Sequence, residues 1–397
     1  MPYVLPYGRQ SINDAEVEAV CRVLRSDFLT CGPIVEEFEA RFAETVGAQH
    51  AVAVNSATSA LHLAMLVAGI GAGDRVVTSP NTFLASANCA AFVGAIPDFA
   101  DIDPVSYNLT PATLEKAWKP DIKAVVAVDY AGQPCDMPAV VGLARERGAI
   151  VIEDACHGVG GGFVHEGRSW KLGGHPWADL TVFSFHPVKT MTTGEGGMLV
   201  TDNAEWAQRA RRLRSHGVER HRFLGLGGEG NPALDEWGPW YYEMQELGYN
   251  YRITDVQCAL GLAQLERLDH FVARRRQIVR QYNEALADLA WLRTPGLANP
   301  ENRELISWHL YTVQIDFQRI GRTRTQVMGE LKQKGVGTQV LYIPVCLQPW
   351  YRQHYGYQAG KCPVAEEYYS RALSLPLFPA MSDEQINQVI RAVRALV

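Results

Sequence analysis

The sequence predicts an α/β domain with a mostly parallel sheet over residues 1–269, followed by a smaller α+β domain over residues 270–397. In the first 200 residues, short apolar runs alternate with helix-length segments, as in a parallel sheet that helices cover on both faces. Near residue 270 this rhythm changes, and strands and helices follow in irregular order. A length of 397 residues also suits two domains.

The expected strands of the first domain are apolar throughout and cover residues 51–54, 75–78, 124–128, 149–153, 180–183 and 198–200. Helical patterns lie between most of them, at residues 57–68, 86–94, 137–148 and 204–215. Ahead of the first strand, Ser11 and Asp14 resemble a capping box, and apolar residues follow at helical spacing: Val17, Val20 and Leu24. We therefore expect a helix before the sheet begins.

The segments after the sheet have a different spacing. Residues 220–240 are rich in Gly and Pro without a period, which indicates a loop. A long helix is expected over 260–280, strands over 308–315 and 337–343, and a helix over 325–334 that Gly335 ends. A capping box at residues 382–385 begins the last helix, whose apolar face comprises Ile386, Val389, Ile390 and Val393.

The composition excludes several classes of protein. Hydrophobic residues make up 47% and charged residues 20%, which is a globular balance and not a disordered one. The net charge of −6 disfavours non-specific nucleic-acid binding, because that binding requires an excess of basic charge. No apolar run reaches the ~20 residues of a membrane helix, and the first residues lack the pattern of a signal peptide. We expect no nucleic-acid partner, no membrane and a cytoplasmic location.

The spacing of cysteines and histidines does not predict a metal site. The eight cysteines include no Cys-x-x-Cys pair and are expected to be reduced, mostly packed thiols. His216 and His221 lie in a stretch rich in arginine, whose charge would repel a cation. We therefore expect no metal.

Two glycine patterns resemble dinucleotide-binding motifs by their letters alone. Residues 225–230 fit G-x-G-x-x-G, but no expected strand precedes them, and Asn231 and Pro232 follow. Residues 69–73 follow a helix and precede a strand, which is the reverse of the required order. Both patterns are interpreted as turns.

Reactive and polar residues follow the ends of three expected strands, where open α/β sheets bind their ligands. Asp154 and His157 follow one strand, and Ser184 and Lys189 follow another. The first strand leads into a helix start of small residues at 55–60. Each feature has a plainer explanation when taken alone: a helix cap for the aspartate, a solvated surface position for the lysine, and a simple N-cap for the small residues.

Together these residues meet the requirements of pyridoxal phosphate chemistry. A lysine amine must condense with the aldehyde, a carboxylate must keep the pyridine nitrogen protonated, and helix N-terminal amides and hydroxyls must hold the phosphate. The lysine and aspartate named above can fill the first two roles, and Ala57, Thr58 and Ser184 can hold the phosphate. Phe83 can stack on the ring. The sequence therefore predicts a pyridoxal 5′-phosphate site.

Four segments carry a family resemblance: Asn55-Ser56-Ala57-Thr58-Ser59-Ala60-Leu61, Pro80-Asn81-Thr82-Phe83-Leu84-Ala85, Glu153-Asp154-Ala155-Cys156-His157 and Ser184-Phe185-His186-Pro187-Val188-Lys189. They resemble the sugar-nucleotide aminotransferases, which are fold-type-I pyridoxal phosphate enzymes that act on nucleotide-linked keto sugars. The resemblance covers essentially the whole chain. It implies a large domain with a mostly parallel, seven-stranded sheet and a smaller C-terminal α+β domain.

Further stretches are similar to the UDP-4-keto-6-deoxyhexose aminotransferases of pseudaminic acid biosynthesis; they lie at 128–132, 214–217, 239–242, 246–252 and 309–311. This similarity implies transfer of an amino group from L-glutamate, which leaves 2-oxoglutarate, to C4 of a UDP-linked 2-acetamido-2,6-dideoxy-hexos-4-ulose. Amination at C3, another nucleotide-linked keto sugar, and the stereochemistry of the sugar stay open. So does the choice among the arginines that could hold the diphosphate: Arg214, Arg220, Arg222 and Arg252.

The family resemblance also implies a role for individual residues. Lys189 would carry the cofactor and act as general acid–base, Asp154 would pair with the pyridinium, and His157 would contact the ring or its phenolic oxygen. The phosphate would be held by Ala57, Thr58 and Ser184, and by Asn250 from a second subunit, which makes a homodimer with shared sites part of the expectation. The substrate-contacting segments would be Tyr7, Asp27-Phe28-Leu29-Thr30 and His309-Leu310-Tyr311-Thr312.

Three alternatives compete with this interpretation. Related cofactor-dependent sugar dehydratases carry His where this chain has Lys189. A sugar-binding or regulatory protein that keeps the enzyme fold without its activity would be expected to lose the pair of Lys189 and Asp154. A nicotinamide-dependent sugar oxidoreductase is disfavoured by the misplaced glycine patterns.

Overall fold

The computed structural model describes residues 4–224 and 240–397. Its strands, in chain order, are β1 (His50–Val54), β2 (Arg75–Thr78), β3 (Ile96–Phe99), β4 (Ile122–Val128), β5 (Ile150–Asp154), β6 (Gly162–His165), β7 (Arg168–Lys171), β8 (Leu180–Ser184), β9 (Gly197–Thr201), β10 (Val218–Glu219), β11 (Glu243–Met244), β12 (Leu292–Arg293), β13 (Tyr311–Ile315) and β14 (Ala372–Leu375).

The helices alternate with the strands in the first half of the chain and then dominate. They are α1 (Asp14–Leu24), α2 (Pro33–Val46), α3 (Ala57–Val67), α4 (Ala85–Phe92), α5 (Pro111–Ala117), α6 (Met137–Glu146), α7 (Ala204–Arg214), α8 (Asp255–Leu265), α9 (Leu268–Leu286), α10 (Arg324–Gln333), α11 (Pro349–Tyr355), α12 (Pro363–Arg371) and α13 (Asp383–Arg394). Among the residues that are described, no helix is both long and apolar enough to cross a membrane.

The main sheet has seven strands in the order β1-β9-β8-β5-β4-β2-β3. Strands β3, β2, β4, β5 and β8 are parallel to one another, whereas β9 runs antiparallel to both β8 and β1. The predicted mostly parallel sheet is therefore confirmed. All six expected strands are present within two residues of their expected bounds.

Both faces of the main sheet are buried because its strands carry apolar side chains at nearly every position. Along β4, Val125 and Ala127 pack in the core on one face, whereas Ala124, Val126 and Val128 pack in the core on the other. Successive strand residues point to opposite faces, so a strand without polar alternation must be covered twice. This placement leaves the strand ends as the accessible part of the sheet.

A second core surrounds the three-stranded antiparallel sheet β12-β13-β14. The expected domain boundary at 269/270 falls inside α9, whose first turns contribute Leu268 and Val272 to the core of the main sheet. Further along the same helix, Ile278 and Tyr282 belong to the second core. The division into domains 1–269 and 270–397 stays a prediction, and one continuous helix connects the two cores.

The first helix begins differently from the prediction. Its N-cap is Asn13, which forms a capping box with Glu16, so the expected box of Ser11 and Asp14 is wrong. The face at Val17 and Leu24 is also not the packed one, since these side chains are 52% and 56% exposed. Helix α1 instead buries residues on its other side: Glu16, Ala19 and Val23. Glu16 can be buried because the Arg267 guanidinium donates to its carboxylate at 2.6 Å.

Two further expectations about the C-terminal half are wrong. The single helix expected over 260–280 is two helices, α8 and α9, which are separated at Glu266 and Arg267. Both helices have the same apolar period, which does not reveal a break of two residues. The expected strand at 337–343 is absent, because only Gln339 forms a bridge there, with Ser374.

The predicted helix ends and turns agree better with the structure. Gly335 has a positive φ of 78° just beyond α10, and Ser382 caps α13 with a capping box that includes Gln385. Gly69 and Gly73 adopt φ of 72° and 95° between α3 and β2, which confirms a turn there. The second glycine pattern, at 225–230, lies outside the described residues, as does most of the loop expected at 220–240.

Candidate active site

A cavity of about 380 Å³ opens at the carboxyl ends of the parallel strands. Val128, Asp154 and Ser184 end β4, β5 and β8 respectively, and each of them lines it. The residues that line it and were predicted to bind the cofactor are Ala57, Thr58, Phe83, Asp154, His157, Ser184 and Lys189. Of the predicted substrate-binding residues, Tyr7 and His309 also line it.

The Asp154 carboxylate is buried and held by two donors. The Ser86 hydroxyl donates to Oδ2 at 2.6 Å, and the backbone N–H of Cys156 donates to Oδ1 at 3.2 Å. The Ser86 hydroxyl is in turn paired with that of Thr82 at 2.7 Å. This arrangement fixes the carboxylate at the floor of the cavity, where it can face a cationic group of a ligand.

Lys189 lies in the connection between β8 and β9, where its backbone N–H donates to the carbonyl of His186 at 2.9 Å. Burial lowers the pKa of the Lys189 amine, an effect that the nearby Cys156 and Asp154 oppose. A lysine with a lowered pKa spends more time as the neutral amine, which is the nucleophilic form.

The N-terminus of α3 forms one wall of the cavity. Ser56 is its N-cap, and its hydroxyl accepts from the N–H of Ser59. The amides of Ala57 and Thr58 lie in the first turn, where a helix leaves N–H groups without an internal partner. A Cβ at Gly197 of β9 would stand 2.5 Å from the Ala57 nitrogen, so this strand approaches the turn closely. Together with the Ser184 hydroxyl, the turn can bind a phosphate.

Two histidines lie side by side at the cavity, with ring centroids 4.5 Å apart. His157 uses both nitrogens: the N–H of Ala131 donates to Nδ1 at 3.2 Å, and the Tyr342 hydroxyl is 3.2 Å from Nε2. The Nδ1 atom of His309 is buried and has no partner among the described residues. Burial, and next the charge of Lys189, lowers the pKa of both rings well below that of an ordinary histidine.

The sequence alone did not predict three residues of this region, two of which line the cavity. Ser86 lies in α4 beyond the motif at 80–85, and Tyr342 lies in the segment that was interpreted as a strand. A third omission is Arg275, a fully buried cation that donates to the carbonyls of Trp308, His309 and Leu377, and at 3.4 Å to that of Lys189. It had no local signal, since it looks like one of several arginines on α9.

Some predicted substrate residues are not brought to the cavity. Tyr311 is buried in the second core, where its hydroxyl donates to Asn283 at 2.8 Å, and Thr312 pairs with Ser374. Leu310 is buried in a separate hydrophobic cluster. The geometry therefore gives no support to these three as substrate-contacting residues, because hydrogen bonds and core packing occupy their side chains.

A second group of predicted residues lies on the surface of the chain. Asn250 is exposed and bridges to Ser215, outside the cavity. The turn of Asp27, Phe28, Leu29 and Thr30 is exposed beyond the end of α1 and does not line the cavity either. Arg214, a candidate for the diphosphate, is bound to Glu39 at 2.6 Å.

Comparisons with known proteins assign the chain to a family. Residues 10–394 match the model of the DegT/DnrJ/EryC1/StrS aminotransferase family. The spore coat polysaccharide biosynthesis protein SpsC of Bacillus subtilis is 42% identical over 396 residues, which cover 100% of this chain and 97% of that protein.

Two solved structures illustrate the likeness of fold. PseC of Helicobacter pylori, an aminotransferase involved in the biosynthesis of pseudaminic acid, superposes with a TM-score of 0.87 at 27% identity, over 99% of each chain. Spr1654 of Streptococcus pneumoniae, solved in its PMP form, superposes with a TM-score of 0.87 at 27% identity, over 99% of this chain and 98% of that one. The expected fold-type-I architecture and pyridoxal phosphate cofactor are thereby confirmed.

Geometry and comparison lead to the same assignment. The cavity combines a lysine and a carboxylate that follow strands with a helix turn suited to phosphate, and the family model matches nearly the whole chain. The chain belongs to the DegT/DnrJ/EryC1/StrS aminotransferase family and is a pyridoxal-phosphate-dependent sugar aminotransferase.

Proposed function

We propose that this enzyme transfers the amino group of L-glutamate to C4 of a UDP-linked 2-acetamido-2,6-dideoxy-hexos-4-ulose. The observation that carries the proposal is the single cavity that contains Lys189, Asp154 and the α3 turn, with aromatic side chains at its wall. The likeness to PseC over 99% of both chains supports the choice of a 4-keto sugar.

The described residues fit pyridoxal phosphate. We assign Asp154 to the pyridine nitrogen, Ala57, Thr58 and Ser184 to the phosphate, and Lys189 to the aldehyde. The unpartnered Nδ1 of His309 fits the same picture, because a buried polar atom at a cavity wall is stabilised by a ligand that bonds to it. When bound, the cofactor supplies the aldehyde that carries the amino group and a ring that withdraws electrons.

The chain itself supplies the proton transfers. Lys189 removes the proton from Cα of L-glutamate in the first half of the cycle. In the second half, its amine delivers a proton to the sugar carbon that receives the nitrogen. The lowered pKa of Lys189 favours both roles, because a general base works best when its pKa lies near the working pH.

We also propose a homodimer with shared active sites. Asn250 and the turn at 27–30 are exposed and lie apart from the cavity of their own chain, so they are free to act at the cavity of a second copy. Exposed apolar side chains occur both in that turn, at Phe28, and on α1, at Val17 and Leu24. A two-fold interface would repeat the contact at both sites. A cytoplasmic location is likewise proposed, and the eight free cysteines support it.

A second candidate is amination at C4 or C3 of another nucleotide-linked keto-deoxy sugar. It is favoured by the higher identity to SpsC, a spore coat polysaccharide protein, than to PseC: 42% against 27%. Either substrate leaves the roles of Lys189 and Asp154 unchanged.

The substrate is tested by supplying the L-arabino and D-xylo epimers of the UDP-linked 4-keto sugar separately with L-glutamate and measuring 2-oxoglutarate. A strong preference for the L-arabino epimer supports the pseudaminic substrate. A preference for the D-xylo epimer, or for a dTDP-linked 3-keto sugar, rejects it in favour of the second candidate. Lys189→Ala is the control that separates enzymatic from background release.

A further inference from the structure

A short chain of hydrogen bonds at the cavity wall determines where the protons of His157 and Tyr342 lie. The backbone N–H of Ala131 donates to Nδ1 of His157 at 3.2 Å. A backbone N–H can only donate, so Nδ1 must carry the lone pair. In the neutral ring the proton is then on Nε2.

The His157 ring stays neutral at physiological pH, because burial and the charge of Lys189 lower its pKa. Its Nε2–H therefore donates to the Tyr342 oxygen, 3.2 Å away. A phenol oxygen that accepts this bond must direct its own hydrogen elsewhere. Within residues 4–224 and 240–397, no second partner of the Tyr342 hydroxyl is found.

The hydrogen of the Tyr342 hydroxyl has no acceptor among the described residues, which leaves it available to a ligand. Tyr342 lines the cavity, and its ring centroid is 6.2 Å from that of Phe83, on the side of the cavity formed by the turn after β2. Burial, with the neighbouring Tyr130 and Tyr7, raises the pKa of this phenol, so it keeps its proton across the working pH range. The wall of the cavity thus contains an oriented O–H donor that the family motifs quoted above do not include.

We propose that the Tyr342 hydroxyl donates a hydrogen bond to an oxygen of the bound ligand, and that His157 is the positioning residue that orients this hydroxyl through Nε2–H. The inference rests on the proposed function for the position of the ligand. The acceptor is an oxygen that carries negative charge or gains it during the reaction. It is either the phenolic oxygen of the cofactor or an oxygen of the keto sugar. A donor aimed in advance at such an oxygen stabilises it most strongly in a cavity that excludes water.

Tyr342→Phe tests the proposal, because it removes one oxygen and keeps the ring. With pyridoxal phosphate alone, the pH midpoint of the visible absorption band of the bound cofactor is measured. If the acceptor is the cofactor oxygen, the midpoint moves upward by about one pH unit. If the acceptor is on the sugar, the midpoint is unchanged, the reaction with L-glutamate alone is unchanged, and kcat/KM for the sugar falls by about tenfold or more.

The positioning role is tested with His157→Phe, which keeps an aromatic ring without the Nε2–H donor. Loss of the orienting bond should reproduce part of the Tyr342→Phe effect on the same readout, and the double variant should lose little more than Tyr342→Phe alone. Additive losses would reject the positioning role of His157. If the absorption midpoint, the glutamate reaction and the sugar kinetics all stay at wild-type values in Tyr342→Phe, the donor role of Tyr342 is rejected.

Tyr351→Phe is the matched control. It also removes a phenol hydroxyl from the C-terminal part of the chain, one that donates to Asn88 at 2.6 Å, but Tyr351 does not line the cavity. We expect wild-type readouts from it. The kinetic measurement uses whichever sugar the wild type accepts, and the measurement of the absorption midpoint needs only cofactor binding. A wild type that aminates neither UDP epimer therefore rejects the proposed substrate and leaves the spectral test of Tyr342 intact.

Discussion

The strand-end cavity and the surface around α1 and Asn250 differ in how much one chain completes by itself. In the cavity, Asp154 and His157 already have their hydrogen-bond partners, and Lys189 lies within the electrostatic influence of Asp154. On the surface, Phe28 is 54% exposed, and within the described ranges Asn250 forms a backbone bridge to Ser215 and no side-chain hydrogen bond. The difference fits the proposed homodimer, in which the reactive groups come from one subunit and Asn250 and the turn at 27–30 act at the cavity of the other.

The largest expected effect concerns the cavity. Lys189→Ala should lower turnover by about 10³-fold or more, because Lys189 is the base that we assign to both proton transfers. The rate is measured with L-glutamate and the accepted sugar. Borohydride reduction of the wild type followed by peptide mapping should find the pyridoxyl group on Lys189.

The exposed Lys123 on β4 provides the control, and Lys123→Ala should keep the wild-type rate. A pyridoxyl label on any other lysine would show that the assignment of Lys189 is wrong.

The next effect tests whether the two regions meet across a dimer. Asn250→Ala and Lys189→Ala subunits are mixed, and the heterodimers are isolated and assayed. If Asn250 acts at the partner's cavity, each heterodimer has one intact site, and activity returns well above that of either homodimer.

A mixture of Asn250→Ala with the Lys189→Ala/Asn250→Ala double variant contains no intact site and should stay inactive. Activity that is absent from verified heterodimers of the first mixture would place Asn250 in the site of its own chain, or in no site.

A smaller effect is expected from a charge on the exposed face of α1. Leu24→Asp should weaken dimerisation by about tenfold or more, because an unpaired charge is desolvated when the interface forms. Analytical ultracentrifugation over a range of concentrations measures this. Val397→Asp, at a residue that is 75% exposed, is the control. An unchanged dimer in Leu24→Asp would place the interface elsewhere.

The smallest expected effect tests whether burial keeps the His309 ring neutral in the folded protein. The pKa of His309 lies well below its unfolded value of about 6.5, so below that pH the unfolded state binds a proton that the folded state does not. The stabilising contribution of neutral His309 is complete above pH 6.5 and is lost as the pH falls towards the folded pKa. The wild-type free energy of unfolding should therefore fall more steeply than that of His309→Gln, by about 1.4 kcal/mol per pH unit.

Urea titrations of both proteins at pH 6.0 and 5.0 give the two slopes. Equal slopes would mean that His309 takes up its proton in the folded state and is not held neutral by burial.

The parts of the fold that were predictable have local causes. The strands β4 and β8 are largely apolar, and Ser382 and Gly335 mark helix ends through bonds and backbone angles within a few residues. The error at α1 has a long-range cause. Its apolar residues follow a helical period, but the side that packs contains Glu16, whose burial depends on Arg267, more than 250 positions away.

The same division holds for the active site. The order of strands and helices, and the place of Asp154, Ser184 and Lys189 at strand ends, follow from the sequence alone, since side-chain periodicity and chain direction are local properties. Only the tertiary structure determines that Tyr342 contacts His157 and that Arg275 donates to the carbonyl of Lys189. These contacts join segments far apart in the chain, and which buried polar group finds which partner depends on the packing of both cores, which no local pattern encodes.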